Sequence, residues 1–147
     1  MRWTLHYVRT SIMRMIEKSA LLLTRGSWPE SELLLVREHG KAHWIFPGGK
    51  QEVGESSEQA LRREVREELN AEVTQFSDLG VVQGYTPDGR DLRIHLYCGE
   101  IDGEPQASSE ISALNWLSRA DLRKVFGELT PITVEKVFPM LAHMRIW

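Results

Sequence analysis

Glu64, Glu67 and Glu68 stand within five residues of one another in the stretch Arg63-Glu64-Val65-Arg66-Glu67-Glu68. On a helix, successive residues turn by about 100°, so with Glu64 at zero Glu67 falls near 300° and Glu68 near 40°. The three carboxylates share one stripe, and Leu61, Val65 and Leu69 form an adjacent apolar stripe that docks on a sheet. Glu64 and Glu68 are a like-charge i,i+4 pair, which costs an isolated helix a few tenths of a kcal/mol. A solvated acidic face with Arg63 paired to Glu67 is one reading of this pattern. A cation held among the acids is the other, and clustered carboxylates without cysteine or histidine are hard oxygen donors suited to Mg²⁺, with Mn²⁺ as a substitute.

The segments around the acids are those that would hold them in place. Ser56 and Ser57 precede a run of good helix formers from Glu58 to Leu69, so a helix is predicted to begin at one of the serines and to stop at Asn70. Before it, Trp44-Ile45-Phe46 runs into Pro47-Gly48-Gly49, a loop. Met15 to Thr24 and Glu32 to Arg37 read as two short buried strands of one sheet. Val73 to Tyr85 and Asp91 to Ile101 flank Pro87-Asp88-Gly89 as a hairpin, and Ala113 to Leu117 is a further short strand. Arg119 to Phe126 and Pro131 to Met144 are predicted helices. Strands around isolated helices indicate a mixed α/β/α layered domain.

Composition narrows the possibilities. The chain has 147 residues, 41% of them hydrophobic and 27% charged, enough for one domain with an adequate core. Its net charge of −3 argues against a nucleic-acid polymer as partner. That charge lies between Glu55 and Glu72, where six acids face three bases; the remainder is balanced. No apolar run reaches the ~20 residues of a membrane span. The lone Cys98 makes no internal bridge, so a reducing, cytoplasmic setting is expected. Residues 1–14 carry Arg2, Arg9 and Arg14 and no acid, and read as an N-terminal extension or first strand ahead of a single domain over 15–147.

Gly49, five residues, Glu55, seven residues, Arg63-Glu64-Val65, one residue, and Glu67-Glu68 reproduce the Nudix box, and the chain resembles the Nudix hydrolase family. The box normally ends in Gly and an aliphatic residue, where Asn70 and Ala71 stand here; Asn tolerates a left-handed helix end. The resemblance implies a Nudix-type α/β/α sandwich with a mixed sheet and a catalytic loop-helix-loop. It implies that Glu64, Glu67 and Glu68 bind the metal, with Glu55 and the loop at Gly48 supporting or joining them and Arg63 orienting the carboxylates.

Phe46-Pro47-Gly48-Gly49-Lys50, Gly103-Glu104-Pro105, and Glu110 six residues ahead of Trp116 are similar to the MutT-type branch, which converts nucleoside triphosphates to monophosphate and pyrophosphate. By that match Glu110 is a metal ligand or general base, and Lys50 meets substrate phosphate. Arg37 stands where the branch carries paired arginines, and Thr133 where it carries a base-reading Asn, so the oxidised-guanine assignment stays open. Phe46 and Tyr85, with Trp44 and Tyr97, are aromatic candidates for stacking a base. The expected activity is Mg²⁺-dependent pyrophosphohydrolysis of a nucleoside triphosphate, oxidised and non-standard forms included. The alternatives are an ADP-ribose, sugar-nucleotide or dinucleoside polyphosphate hydrolase, and a catalytically silent nucleotide sensor. A homodimer is common in the family.

Overall fold

The computed structural model describes residues 15–147; the expectation for residues 1–14 lies outside the described residues. Seven strands form two sheets. In the first, β1 (Ile16–Leu22) lies between β4 (Gly48–Lys50), antiparallel to it, and β6 (Asp91–Ile101), parallel to it, and β5 (Val73–Tyr85) completes the order β4-β1-β6-β5. In the second, β3 (Glu32–Glu38) lies between β2 (Thr24–Arg25) and β7 (Ile111–Ser118), all antiparallel. The expectation that Met15 to Thr24 and Glu32 to Arg37 share one sheet is therefore corrected: Ile16–Leu22 pairs with β4 and β6, while Thr24, in β2, joins Glu32 to Arg37 and β7 in the second sheet. A backbone bond from the Leu34 N–H to the Leu23 carbonyl, 2.9 Å, links the two near their junction.

Alternation along β1 explains why both of its faces are apolar. Leu21, with Leu23 just beyond the strand, joins Leu34, Val36, Leu61, Val65 and Leu69 in a core under helix α1 (Ser57–Leu69), whereas Ala20 and Leu22 join Phe46, Leu92, Ile94, Ile132 and Phe138 on the opposite side. Strand side chains alternate with period two, so β1, β3 and β6 each serve both cores. The result is the α/β/α sandwich with a mixed sheet.

The two C-terminal helical segments depart from the expectation of plain helices. Arg119 to Glu128 is a 3₁₀ turn, one α turn α2 (Leu122–Val125) and a second 3₁₀ turn. In the last segment, Thr133–Val137 is π-helical and only α3 (Phe138–His143) is regular. Pro139 accounts for this: it has no N–H to give Glu135 and its ring crowds that carbonyl, so the preceding turn widens. Among the described residues, no helix is long and apolar enough to cross a membrane.

Candidate active site

Helix α1 is fixed at both ends by its own sequence. The Ser56 Oγ accepts from the Gln59 N–H at 3.1 Å while the Gln59 Oε1 accepts from the Ser56 N–H at 2.9 Å, a complete capping box. Asn70 closes the other end in the left-handed conformation, φ 52°, its N–H reaching the Arg66 carbonyl at 3.1 Å. With Leu61, Val65 and Leu69 fully buried, the rotation of the helix is set, and Glu64, Glu67 and Glu68 face a cavity.

Gly48 and Gly49, expected in a loop, belong instead to β4, and β4 comes close to the helix because it has no side chains there. A Cβ on Gly49 would lie 2.5 Å from the Glu64 carboxyl carbon, and one on Gly48, whose φ is 140°, would lie 2.0 Å from the Ser19 carbonyl oxygen. The Gly48 N–H donates to the Glu68 Oε1 at 2.6 Å, a bond from β4 to the helix.

Arg63 organises the remaining acids. Its Nε and Nη2 hold both oxygens of Glu55, at 2.8 and 3.0 Å, while Nη1 donates to Glu64 at 2.9 Å and lies 3.5 Å from Glu67; Nη2 also donates to the Lys50 carbonyl at 3.0 Å. Hydrogen bonds from Arg63 and the Glu52 N–H lower the Glu55 pKa to about 2, and the bonds Arg63 gives to Glu55 and Glu64 raise its own. Glu68 is the opposite case. It is 6% exposed, and burial pushes its pKa up to about 8 against the Gly48 bond, with the nearby charges of Glu64, Glu38 and Glu110 adding to the rise. Burial raises the Glu64 pKa as well, partly offset by Arg63.

Glu110 comes from the far end of the chain onto the same wall. Ahead of it, the Gln106 N–H bonds to the Leu69 carbonyl and the Ser108 N–H to the Glu68 carbonyl, both at 3.0 Å, so its loop is sewn to the last turn of α1. The Glu110 carbonyl then accepts from the His39 N–H at 2.8 Å.

The cavity measures about 790 Å³. Glu64, Glu67, Glu68 and Arg63 line it from α1, Gly48 and Lys50 from β4 and Glu110 from the residues before β7, whereas Phe46, Leu92, Ile94 and Ile132 line it from the core on the other face of β1, with Thr130 and Thr133. Thr130 and Thr133 hydrogen-bond each other through their hydroxyls at 2.9 Å. Three expected site residues are not on this lining. Glu55 is turned into Arg63. Arg37 stacks its guanidinium over Trp44, 4.4 Å from the ring centroid, and Tyr85 is 61% exposed on the outer part of β5. Of the other aromatic candidates, Trp44 and Tyr97 are buried, the latter hydrogen-bonded to Ser57. Lys18, Glu38 and Ile132 line the cavity without having been singled out by any motif; alternation with Ala20 and Leu22 is the signal that places Lys18 on this side.

Among the described residues, no three His, Cys, Asp or Glu side chains converge closely enough to cage a metal as they are placed. The donor chemistry nonetheless suits a hard divalent cation: Glu64, Glu67, Glu68 and Glu110 are among the carboxylates that line the cavity, Glu68 is buried, and Gly49 leaves Glu64 the room a side chain would take. Arg63 now neutralises Glu64, and a cation would take over that part.

Comparison with known proteins agrees with the box and the fold. The family model for the NUDIX domain matches residues 11–136. The CTP pyrophosphohydrolase of Escherichia coli is 35% identical over 111 residues, covering 72% of this chain and 78% of that protein. The 8-oxo-dGTP diphosphatase of Proteus vulgaris is 45% identical over 53 residues, 36% of this chain, and the match spans about half of that relative's length, 47%. The solution structure of the E. coli ORF135 protein superposes with a TM-score of 0.66 at 32% identity, covering 90% of this chain and 94% of that one.

Proposed function

Because the chain belongs to the Nudix family, we propose that it is a Mg²⁺-dependent pyrophosphohydrolase that converts a nucleoside triphosphate, oxidised and non-standard forms included, to monophosphate and pyrophosphate. The observation that carries this reading is the division of the cavity: carboxylates at one end, and an apolar, hydroxyl-bearing surface at the other. A nucleotide divides the same way, into an anionic polyphosphate that needs cations and a flat base that needs apolar contact. Relatives named for activity on CTP and on 8-oxo-dGTP support the substrate class.

Glu64, Glu67 and Glu68 would hold the metal, with the Gly48 carbonyl completing the set and Glu55 acting through Arg63. Bound there, Mg²⁺ or Mn²⁺ offsets charge on phosphate oxygens and acidifies bound water. Lys50 supplies a point charge toward the phosphates. Glu110, whose backbone is fixed against α1 and His39, takes the proton of the attacking water at a carboxylate oxygen. Phe46 and Ile132 give the base its apolar contact, and Thr133 a hydroxyl. The family resemblance makes a homodimer the expected assembly, which sedimentation velocity tests.

The decisive experiment is Mg²⁺-dependent release of pyrophosphate from a panel of triphosphates, oxidised triphosphates, ADP-ribose, sugar nucleotides and dinucleoside polyphosphates, with Glu68→Gln as blank. Selective turnover of a triphosphate to monophosphate and pyrophosphate is expected. Turnover confined to ADP-ribose, sugar nucleotides or dinucleoside polyphosphates would replace the substrate assignment, and silence across the panel would overturn the enzymatic reading.

A further inference from the structure

Lys18 lies on β1 directly opposite Lys50 of β4 and beside Ile94 of β6. Two ammonium groups at facing positions of an antiparallel pair repel. Among the described residues, neither is within ion-pair distance of a carboxylate: no salt bridge and no side-chain hydrogen bond involves either side chain. Lys50 is exposed at the rim, whereas Lys18 is partly buried on the cavity wall, and that burial draws its pKa below the ordinary lysine range. A charged group kept part-buried without a partner destabilises the empty fold. Lys18 thus has three N–H donors facing a space large enough for a ligand.

The strand fixes which part of a ligand they meet. Ser19, the next residue, points to the α1 side, its Oγ donating to the Ser57 carbonyl at 2.6 Å, and Gly49, the next position on β4, packs against Glu64. Lys18 lies on the other face, with Ala20, in line with the surface formed by Phe46, Ile94 and Ile132. Glu64, Glu67 and Glu68 reach the cavity from α1, on the side of Ser19, and the charges of Glu38 and Glu68 act on Lys18 from across it. Beside Ile94, and on the face of Ala20, Phe46 and Ile132, the Lys18 ammonium is placed to meet the edge of the base.

We propose that Lys18 is a specificity-determining residue that donates a hydrogen bond to a carbonyl oxygen of the bound nucleobase, so that the cleft favours oxo-bases over adenine. The inference rests on the nucleotide reading of the cleft and deepens it. An ammonium donates and never accepts. Guanine offers it O6, and uracil or cytosine a ring carbonyl, whereas adenine presents an amino donor where guanine has O6; N7 is common to both purines and does not separate them. A site built around a donor rejects the analogue that lacks its acceptor, because the buried group is then left unpaired.

Binding of nucleoside monophosphates tests this without requiring turnover. Calorimetric titrations of IMP, GMP, UMP, CMP and AMP with Mg²⁺, into the wild-type chain and into Lys18→Met, separate the oxo group from all else, since IMP carries a 6-oxo group where AMP carries a 6-amino group. The wild-type chain is expected to bind the best of the oxo-nucleotides about tenfold or more tighter than AMP, the size of one good base-edge contact. Lys18→Met is expected to bring that ratio to within about threefold while melting at the same or a higher temperature. IMP against AMP identifies a purine site, UMP against AMP a pyrimidine site.

Equal wild-type affinity for AMP, a preference that survives in Lys18→Met, no binding of any monophosphate, or an equal loss for all five would each overturn the assignment. The last of these would place Lys18 against the phosphate or sugar. Lys18→Gln, which keeps one donor group without the charge, should fall between the two. Base preference without pyrophosphate release in the panel above would keep the recognition and remove the hydrolysis; release without base preference would do the reverse.

Discussion

One end of the cleft is held by charge and the other by shape. At the carboxylate end, Arg63 bonds Glu55, Glu64 and the Lys50 backbone, and Glu68 takes the Gly48 N–H, so Glu55, Glu64 and Glu68 each have a short, directed partner. Across the cavity, Phe46, Ile94 and Ile132 belong to the apolar core, and Thr130 and Thr133 link their hydroxyls beside them. The first end can be rearranged by a single cation because its bonds are electrostatic; the second cannot, because it is part of the core. The chemistry is therefore carried where local charge can change, and the selection of substrate where the surface is fixed.

The largest effect that would test this contrast is expected from Glu68→Gln. Loss of a metal-holding carboxylate should lower kcat by at least about a hundredfold. The apo protein should melt higher, because the amide oxygen still accepts from Gly48 while the buried charge is gone. Full activity in this variant would show that the two ends do not divide the work as described.

Gly49→Ala comes next. Its new methyl group would push Glu64 aside from 2.5 Å, so activity should fall about tenfold or more while the melting temperature drops by only about 3 °C, roughly 1 kcal/mol. A variant as active as the parent would mean that the position of Glu64 is not critical.

The pH dependence of stability sharpens the comparison. With the Glu68 pKa raised to about 8 in the fold, from 4.5 in the unfolded chain, the native state binds more protons in between. The metal-free protein should therefore lose stability as the pH rises from about 4.5 to 8. Glu55, lowered to about 2, contributes the opposite slope, but only below about pH 4.5. Melting curves of wild type and Glu68→Gln across that range, without metal, should converge at low pH and diverge at high pH. Parallel curves would remove Glu68 from the account.

At the other end, Thr133→Val should change KM by several-fold with kcat nearly unchanged, a uniform binding effect. A large loss of kcat would place Thr133 in the chemistry. The smallest expected effect is that of Asn70→Gly, which relieves the left-handed position at the end of α1 and should stabilise by about 0.5 kcal/mol, read as a small rise in melting temperature.

The same contrast governs what the sequence could reveal. The charged end is specified locally: capping box, carboxylate stripe, double glycine and left-handed Asn70 all lie within Gly48 to Asn70, and each is recognisable from spacing. The hairpin was legible because Pro-Asp-Gly enforces a turn. The fixed end is assembled from β1, β6 and the C-terminal segment, whose proximity depends on strand order, and no local rule joins Lys18 to Ile132. For the same reason Arg37 and Tyr85 could be matched by position yet lie off the cavity. The π-helical turn before Pro139 was open to prediction from that residue alone; what concealed it was the otherwise regular spacing of Ile132, Val137 and Leu141.

The two amide bonds from Gln106 and Ser108 to the last carbonyls of α1 have a consequence for motion. A segment tied to a helix end through backbone groups opens only when that end frays. In amide hydrogen exchange, Gln106 and Ser108 should therefore exchange at the rate of the last turn of α1, more slowly than Gly103 or Glu104 beside them. Glu110 then keeps time with the helix rather than with its own loop.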